Sequence, residues 1–126
     1  MNGLRGTGYT GGILERTLDA LGLRHRVTAH NVANVSTPGY KPLQVTFEQA
    51  LRRALADESL SGRTVSDIPL RVVESTGGRV REDGNGVDID QEMATVAKTT
   101  IAYNAVTQQW SGLYTRLRMA VREGRR

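Results

Sequence analysis

The sequence predicts a mainly α, elongated protein whose long N- and C-terminal helices pair as a coiled coil, with a small flexible middle segment that has room for a short β-hairpin. Three observations predict it. Apolar residues recur at alternating spacings of four and three near each end of the chain. Glycine and proline are concentrated at the start and in the middle. At 126 residues, with 38% hydrophobic and 5% aromatic content, the chain suits one thin-cored structural domain and not two.

Residues 1–12 contain glycines 3, 6, 8, 11 and 12, too many permissive positions for a helix on propensity alone, and are expected to form a disordered leader. The first helix is expected over 13–34. Its stripe reads Leu14, Leu18, Leu21, Val32 and Val35, with His25 and Thr28 at the two missing steps. Asn34 suits the residue that closes a helix, and Pro38 cannot continue one. Thr37-Pro38-Gly39-Tyr40 then reads as a type II turn, with proline setting the first central φ and glycine accepting the positive second one.

The span 35–87 is assigned to this turn motif, a short helix and a flexible segment. A helix over 46–56 would bury Phe47, Ala50, Leu51, Ala54 and Leu55, with Thr46 as its cap. From 57 to 86 the helical period breaks at Gly62, Pro69, Gly77, Gly78, Gly84 and Gly86. Residues 68–73 and 79–81 could pair as a hairpin around 75–78, although two strands alone are marginal in water.

The last helix is expected over 88–122, followed by a basic tail, 123–126. Asp88 can accept from the backbone of the first turn while Gln91 reaches back, and Asp90 and Glu92 place negative charge where the helix dipole favours it. The stripe is Ile89, Met93, Val96, Thr100, Tyr103, Thr107, Trp110, Tyr114, Leu117 and Val121. A helix of this length reaches roughly 50 Å, whereas 13–34 covers only about 30 Å. Apolar length that its own chain does not cover calls for a second copy or another protein, so Leu14, Leu18, Leu21 and Val32 of the first helix and the apolar members of the second stripe are candidate assembly residues.

Enzymatic readings find little purchase. Gly6-Thr7-Gly8-Tyr9-Thr10-Gly11 satisfies a dinucleotide-binding pattern, but five preceding residues cannot supply the buried strand that pattern requires. The stretch 83–94 fails as a calcium loop because Val87 occupies a ligand position, Asp88 the glycine position, and Ala94 that of the bidentate glutamate. His25 and His30 are five apart and off a common helical face, and no Ser/His/Asp arrangement is suggested by spacing. No catalytic residue, metal site, cofactor or small-molecule substrate is therefore expected.

With no cysteine, the chain forms no disulfide. No apolar run is long enough to span a bilayer, and membrane insertion is not expected. A net charge of +4 would suit nucleic acid if the basic residues formed one stripe, but they are scattered except for Arg116, Arg118, Arg122, Arg125 and Arg126 near the end. Arginines there also suit the helix dipole, and nucleic acid is not the expected partner. A basic nucleic-acid-binding module and a helical adapter of another secretion apparatus are the alternatives to a self-assembling subunit.

Three segments carry a resemblance. Ala29-His30-Asn31-Val32-Ala33-Asn34-Val35-Ser36-Thr37-Pro38-Gly39-Tyr40-Lys41 is similar to the signature of bacterial flagellar rod and hook proteins. Val45-Thr46-Phe47, and then Asn85-Gly86-Val87-Asp88-Ile89-Asp90-Gln91-Glu92-Met93-Ala94, resemble the proximal rod family FlgB among them, and with the last helix the likeness runs from about Leu18 to Val121. The resemblance implies a non-enzymatic building block of the basal-body rod. Such a subunit is made in the cytoplasm, passed through the flagellar type III exporter, and assembled with copies of itself, other rod proteins and an adapter at the export gate. It further implies that Asn31 and Asn34 terminate the first helix and bond to neighbouring backbone, while Thr37, Pro38, Gly39 and Tyr40 set the chain reversal.

Overall fold

A computed structural model describes residues 2–56 and 65–124. Its elements in order are α1 (Asn2–Ala33), β1 (Leu43–Thr46), α2 (Glu48–Ala56), a 3-10 turn (Val65–Asp67), β2 (Arg71–Glu74) and α3 (Ile89–Glu123). The two long helices run antiparallel. Asn31, near the end of α1, bonds Glu92 in the first turn of α3 at 3.1 Å, while Gly11, near the other end, faces Trp110 and Leu113.

The start of α1 corrects the expected disordered leader. The helix begins at Asn2 and includes the glycines there. Each helical glycine costs about 1 kcal/mol relative to alanine, a cost offset here by packing of this end of the helix against α3 and the 3-10 turn. Gly11 is buried against the Trp110 ring and Leu113, and a Cβ on Gly12 would stand 3.4 Å from Val65. Tertiary packing overrides propensity. The correction also removes the expected mismatch in length, since 32 residues reach about 48 Å and the 35 of α3 about 52 Å.

The middle segment sits on one side of α1. Ala20, Phe47 and Ile68 form the buried centre, and Ala50, Leu51, Ala54, Val65 and Leu70 pack around it. The Arg16 guanidinium spans α1 and this layer, donating twice to the Ile68 carbonyl at 2.9 and 2.7 Å. Arg24 donates to Glu48 at 2.5 Å. The short helix starts two residues later than expected, because Thr46 ends β1 and the Phe47 carbonyl accepts the first helical bond, from Leu51 at 2.9 Å. Thr46 is therefore not its cap.

A two-stranded antiparallel sheet forms, but its partner differs from the expected hairpin. β2 pairs with β1, with Leu43 opposite Glu74 and Thr46 opposite Arg71. Residues 79–81 stay outside the sheet. Their segment instead folds over the turn, with Arg81 N–H donating to Asn85 O at 2.9 Å, Gly39 N–H to Asp83 O at 2.9 Å and Gly86 N–H to Tyr40 O at 3.0 Å. Pro42 has no N–H to extend the ladder, and only its carbonyl takes part, accepting from Ser75 at 2.8 Å.

Candidate functional site

Two features stand out, one polar and one apolar. The polar one ties the end of α1 to the start of α3. Asn31 is 1% exposed, and its side chain makes four hydrogen bonds. Nδ2 donates to Leu43 O at 2.8 Å and to Glu92 Oε1 at 3.1 Å, while Oδ1 accepts from Leu43 N at 2.9 Å and from the Tyr40 hydroxyl at 3.0 Å. One carboxamide thus joins α1, β1, the turn and α3, with its donors and acceptors filled.

Asn34 acts locally. Its Nδ2 donates to His30 O at 2.8 Å, and its Oδ1 accepts from Thr37 Oγ1 at 3.1 Å. Tyr40 N–H donates to Thr37 O at 3.3 Å and Gly39 has φ +71°, the geometry of the expected turn, with Pro38 exposed at its apex. Asp88 caps α3 by accepting from the backbone of Asp90 at 3.0 Å and Gln91 at 3.3 Å. Gln91 enters through its backbone; its side chain makes no return bond among the described residues.

Asn85 is the residue that sequence reasoning missed here. It is fully buried, and Nδ2 donates to Asn34 O at 2.9 Å and Thr37 O at 2.6 Å, while Oδ1 accepts from Val87 N at 2.8 Å. It therefore adds a second donor to each of two turn carbonyls, Asn34 O and Thr37 O, which also accept from the backbone N–H groups of Thr37 and Tyr40. Arg81 adds a bond to Val35 O and an ion pair with Asp83 at 3.4 Å. The loop must lie flat against the turn, since a Cβ on Gly84, at φ +79°, would stand 3.2 Å from the Gly39 Cα. The visible signal was the Gly-Asn-Gly string, which marks a loop without naming its partner.

The cluster shifts its own acids. Burial raises the Glu92 carboxyl above its ordinary range; the Asn31 bond works the other way, and Asp88 adds to the rise. Burial and then the Glu92 charge raise the Tyr40 phenol. Asp83 is held low by the Asn85 N–H, against some desolvation, with help from Arg81.

The apolar feature runs along α3. The face that meets α1 is formed by half-buried Thr95, Ala102, Val106, Leu113 and Leu117 and by buried Thr99. The stripe read from the sequence lies beside this face. Ile89 is 46% exposed, Met93 54%, Tyr103 41%, Trp110 36%, Tyr114 63% and Val121 66%, while Val96 and Leu117 are half-buried. A repeat of 3.5 on a straight helix drifts about 20° per heptad. The stripe therefore starts on the outer flank at Met93 and reaches the α1 seam near Trp110 and Leu117. Thr100 and Thr107 are less disruptive than their hydroxyls suggest, because each bonds the carbonyl four residues back, at 2.9 and 2.8 Å.

On α1, Leu21 is buried and Leu14, Leu18 and Val32 are half-buried. A shallow apolar groove lies at the far end of the helix pair, between Gly8, Gly11 and Gly12 on one side and Trp110, Tyr114 and Leu117 on the other. No helix among the described residues is long and apolar enough to cross a membrane.

No family model matches the chain. It is similar to the flagellar basal body rod protein FlgB of Borrelia hermsii, with 34% identity over 111 residues that cover 75% of this chain and 82% of the relative. The protein of the same name from Bacillus subtilis is 27% identical over 119 residues, covering 89% and 92%. That from Escherichia coli is 25% identical over 113 residues, covering 78% and 82%.

Proposed function

The chain belongs to the FlgB family of flagellar basal body rod proteins, and from that premise we propose that it builds the proximal rod by laying the outer flank of α3 against neighbouring subunits. It is a structural component of the basal-body rod. Its neighbours in this reading are copies of itself, other rod proteins and an adapter at the export gate, reached after passage through the flagellar type III exporter. The chain contributes packing surface and performs no catalysis.

The observation that carries the reading is the apolar surface left on α3 after α1 has covered its own face. Tyr103, Tyr114 and Val121 stand along one flank, and Ile101 at 70% and Met119 at 58% exposure stand together on another side, five helical turns apart. Apolar residues on several sides suit a helix enclosed by neighbours. Burying one such side chain contributes about 1.5–3 kcal/mol, so several together offset an association cost of about 4–15 kcal/mol.

Two substitutions in the full chain test this. Tyr114→Asp is expected to abolish polymerisation and motility while leaving the monomer's melting temperature in place. Leu117→Asp, which faces α1, should also lower that temperature. Normal assembly by the Tyr114 variant would overturn the proposal.

A further inference from the structure

Asn85 and Gly86 form a dipeptide whose chemistry the rod role does not use. In an Asn-Gly pair no side chain on the second residue hinders the backbone nitrogen from reaching the asparagine carboxamide. Here the fold requires both members. Asn85 must be an amide because Nδ2 faces two carbonyls, Asn34 O and Thr37 O, while Oδ1 faces the Val87 N–H. Gly86 must lack a side chain because a Cβ would stand 3.0 Å from the Pro42 Cδ. A reactive pair is thus kept for structural reasons.

We propose that Asn85-Gly86 is a deamidation site which the fold closes, labile in the unfolded chain and shielded once the turn is built. In the open chain a base removes the Gly86 amide proton and the nitrogen attacks Asn85 Cγ. The N–Cγ bond forms, the Cγ–Nδ2 bond breaks, and Nδ2 leaves as ammonia with a proton from water. One water then opens the resulting succinimide to aspartate or isoaspartate. No oxidant or reductant is needed.

The folded turn blocks each requirement. The Gly86 N–H is held by Tyr40 O at 3.0 Å, the carboxamide is fixed through both of its polar atoms, and Asn85 is 0% exposed, closed to base and water. The product does not fit the same place. An aspartate oxygen would oppose two carbonyl oxygens in a buried site, and isoaspartate would add a backbone carbon just before the Asp88 cap. Deamidation therefore marks a chain that has stayed unfolded and keeps it from rebuilding the turn.

The full-length chain is incubated in mildly alkaline buffer with and without urea, then digested with trypsin. The 82–98 peptide contains Asn85 as its only asparagine, and Asn2-Gly3, the chain's other Asn-Gly pair, supplies a reference clock in urea. Mass spectrometry follows the exchange of NH2 for OH. Asn85 should age at the pace of Asn2 in urea and about tenfold or more slowly in native buffer, as expected for a site that reacts through opening. Equal rates at Asn85 in the two buffers would overturn the shielding. Urea-aged chains returned to native buffer should leave the deamidated fraction out of the folded population; its full recovery of native circular dichroism would overturn the consequence.

Discussion

The turn at one end of the molecule and the flank of α3 differ in what they leave open. Around Asn31 and Asn85 the polar groups are matched, and among the described residues no buried side-chain nitrogen or oxygen lacks a partner. Along α3 the reverse holds, with Tyr114, Met119 and Val121 each more than half exposed on a well-formed helix. A closed polar region specifies one geometry and offers little to a partner, whereas an open apolar flank specifies little alone and gains energy only when covered. The difference separates two tasks on one chain, fixing the shape of the subunit at the turn and joining subunits along the helix.

The comparison breaks most readily at Asn31. Asn31→Asp keeps the shape but places a carboxylate oxygen against Leu43 O and the Glu92 carboxylate, where the native Nδ2 donates to both. An uncompensated buried charge costs about 3–5 kcal/mol, a large part of a small domain's stability of about 5–15 kcal/mol. Thermal unfolding followed by circular dichroism should show a severely destabilised variant. A melting temperature close to that of the native chain would mean that the turn does not hold α1 to α3.

A smaller effect is expected at Gly84, which makes no side-chain bond. Gly84→Ala must adopt φ +79° with its Cβ 3.2 Å from the Gly39 backbone, at a cost of about 1–3 kcal/mol. Chemical denaturation of the variant should show that loss. Polymer formation should persist wherever the chain remains folded, because Gly84 lies in the loop before α3 and not on its apolar flank. Assembly lost without a loss of stability would show that the turn takes part in the joint itself.

What was legible in the sequence follows the range of the interactions involved. The cap at Asp88, the end of α1 and the Thr37–Tyr40 turn depend on neighbours within a few residues, and their signals were local. The bonds from Asn85 to Asn34 and Thr37 span 51 and 48 positions, and that from Asn31 to Glu92 spans 61, so the residue types were visible but not their meeting. The glycines before Ile13 misled because their cost is local, while the benefit of packing against Trp110 comes from a position about a hundred residues away. The pairing of β1 with β2 was hidden for a related reason: Asn31 occupies both polar groups of Leu43 on one edge, which leaves the other edge for β2. The stripe on α3 was legible as a pattern but not as a direction, since a repeat of 3.5 and a turn of 3.6 part company over four heptads.

The finest test concerns Glu92, the acid that bonds Asn31 in the polar cluster. Its carboxyl is raised chiefly by burial, so its ionised form is less favourable in the folded chain than in the unfolded one. Stability is then diminished above the ordinary carboxylate range and recovered as pH falls through the raised value, where the folded state takes up the proton. Glu48 behaves oppositely. Burial pushes its carboxyl up, but the Arg24 bond and charge and backbone N–H groups outweigh this and hold it low, so its stabilisation is present above the ordinary range and lost on acidification. Glu92→Gln keeps the acceptor for Asn31 and removes the charge. The variant should be as stable as the native chain or slightly more so at neutral pH, with the difference closing as acid protonates the native residue. The Tyr40 phenol should also titrate nearer its ordinary range, because one of the two causes of its rise is gone. A variant clearly weaker at neutral pH would show that the Glu92 charge itself is needed at the junction of α1 and α3, and the turn would then be an electrostatic joint and not a network of neutral hydrogen bonds.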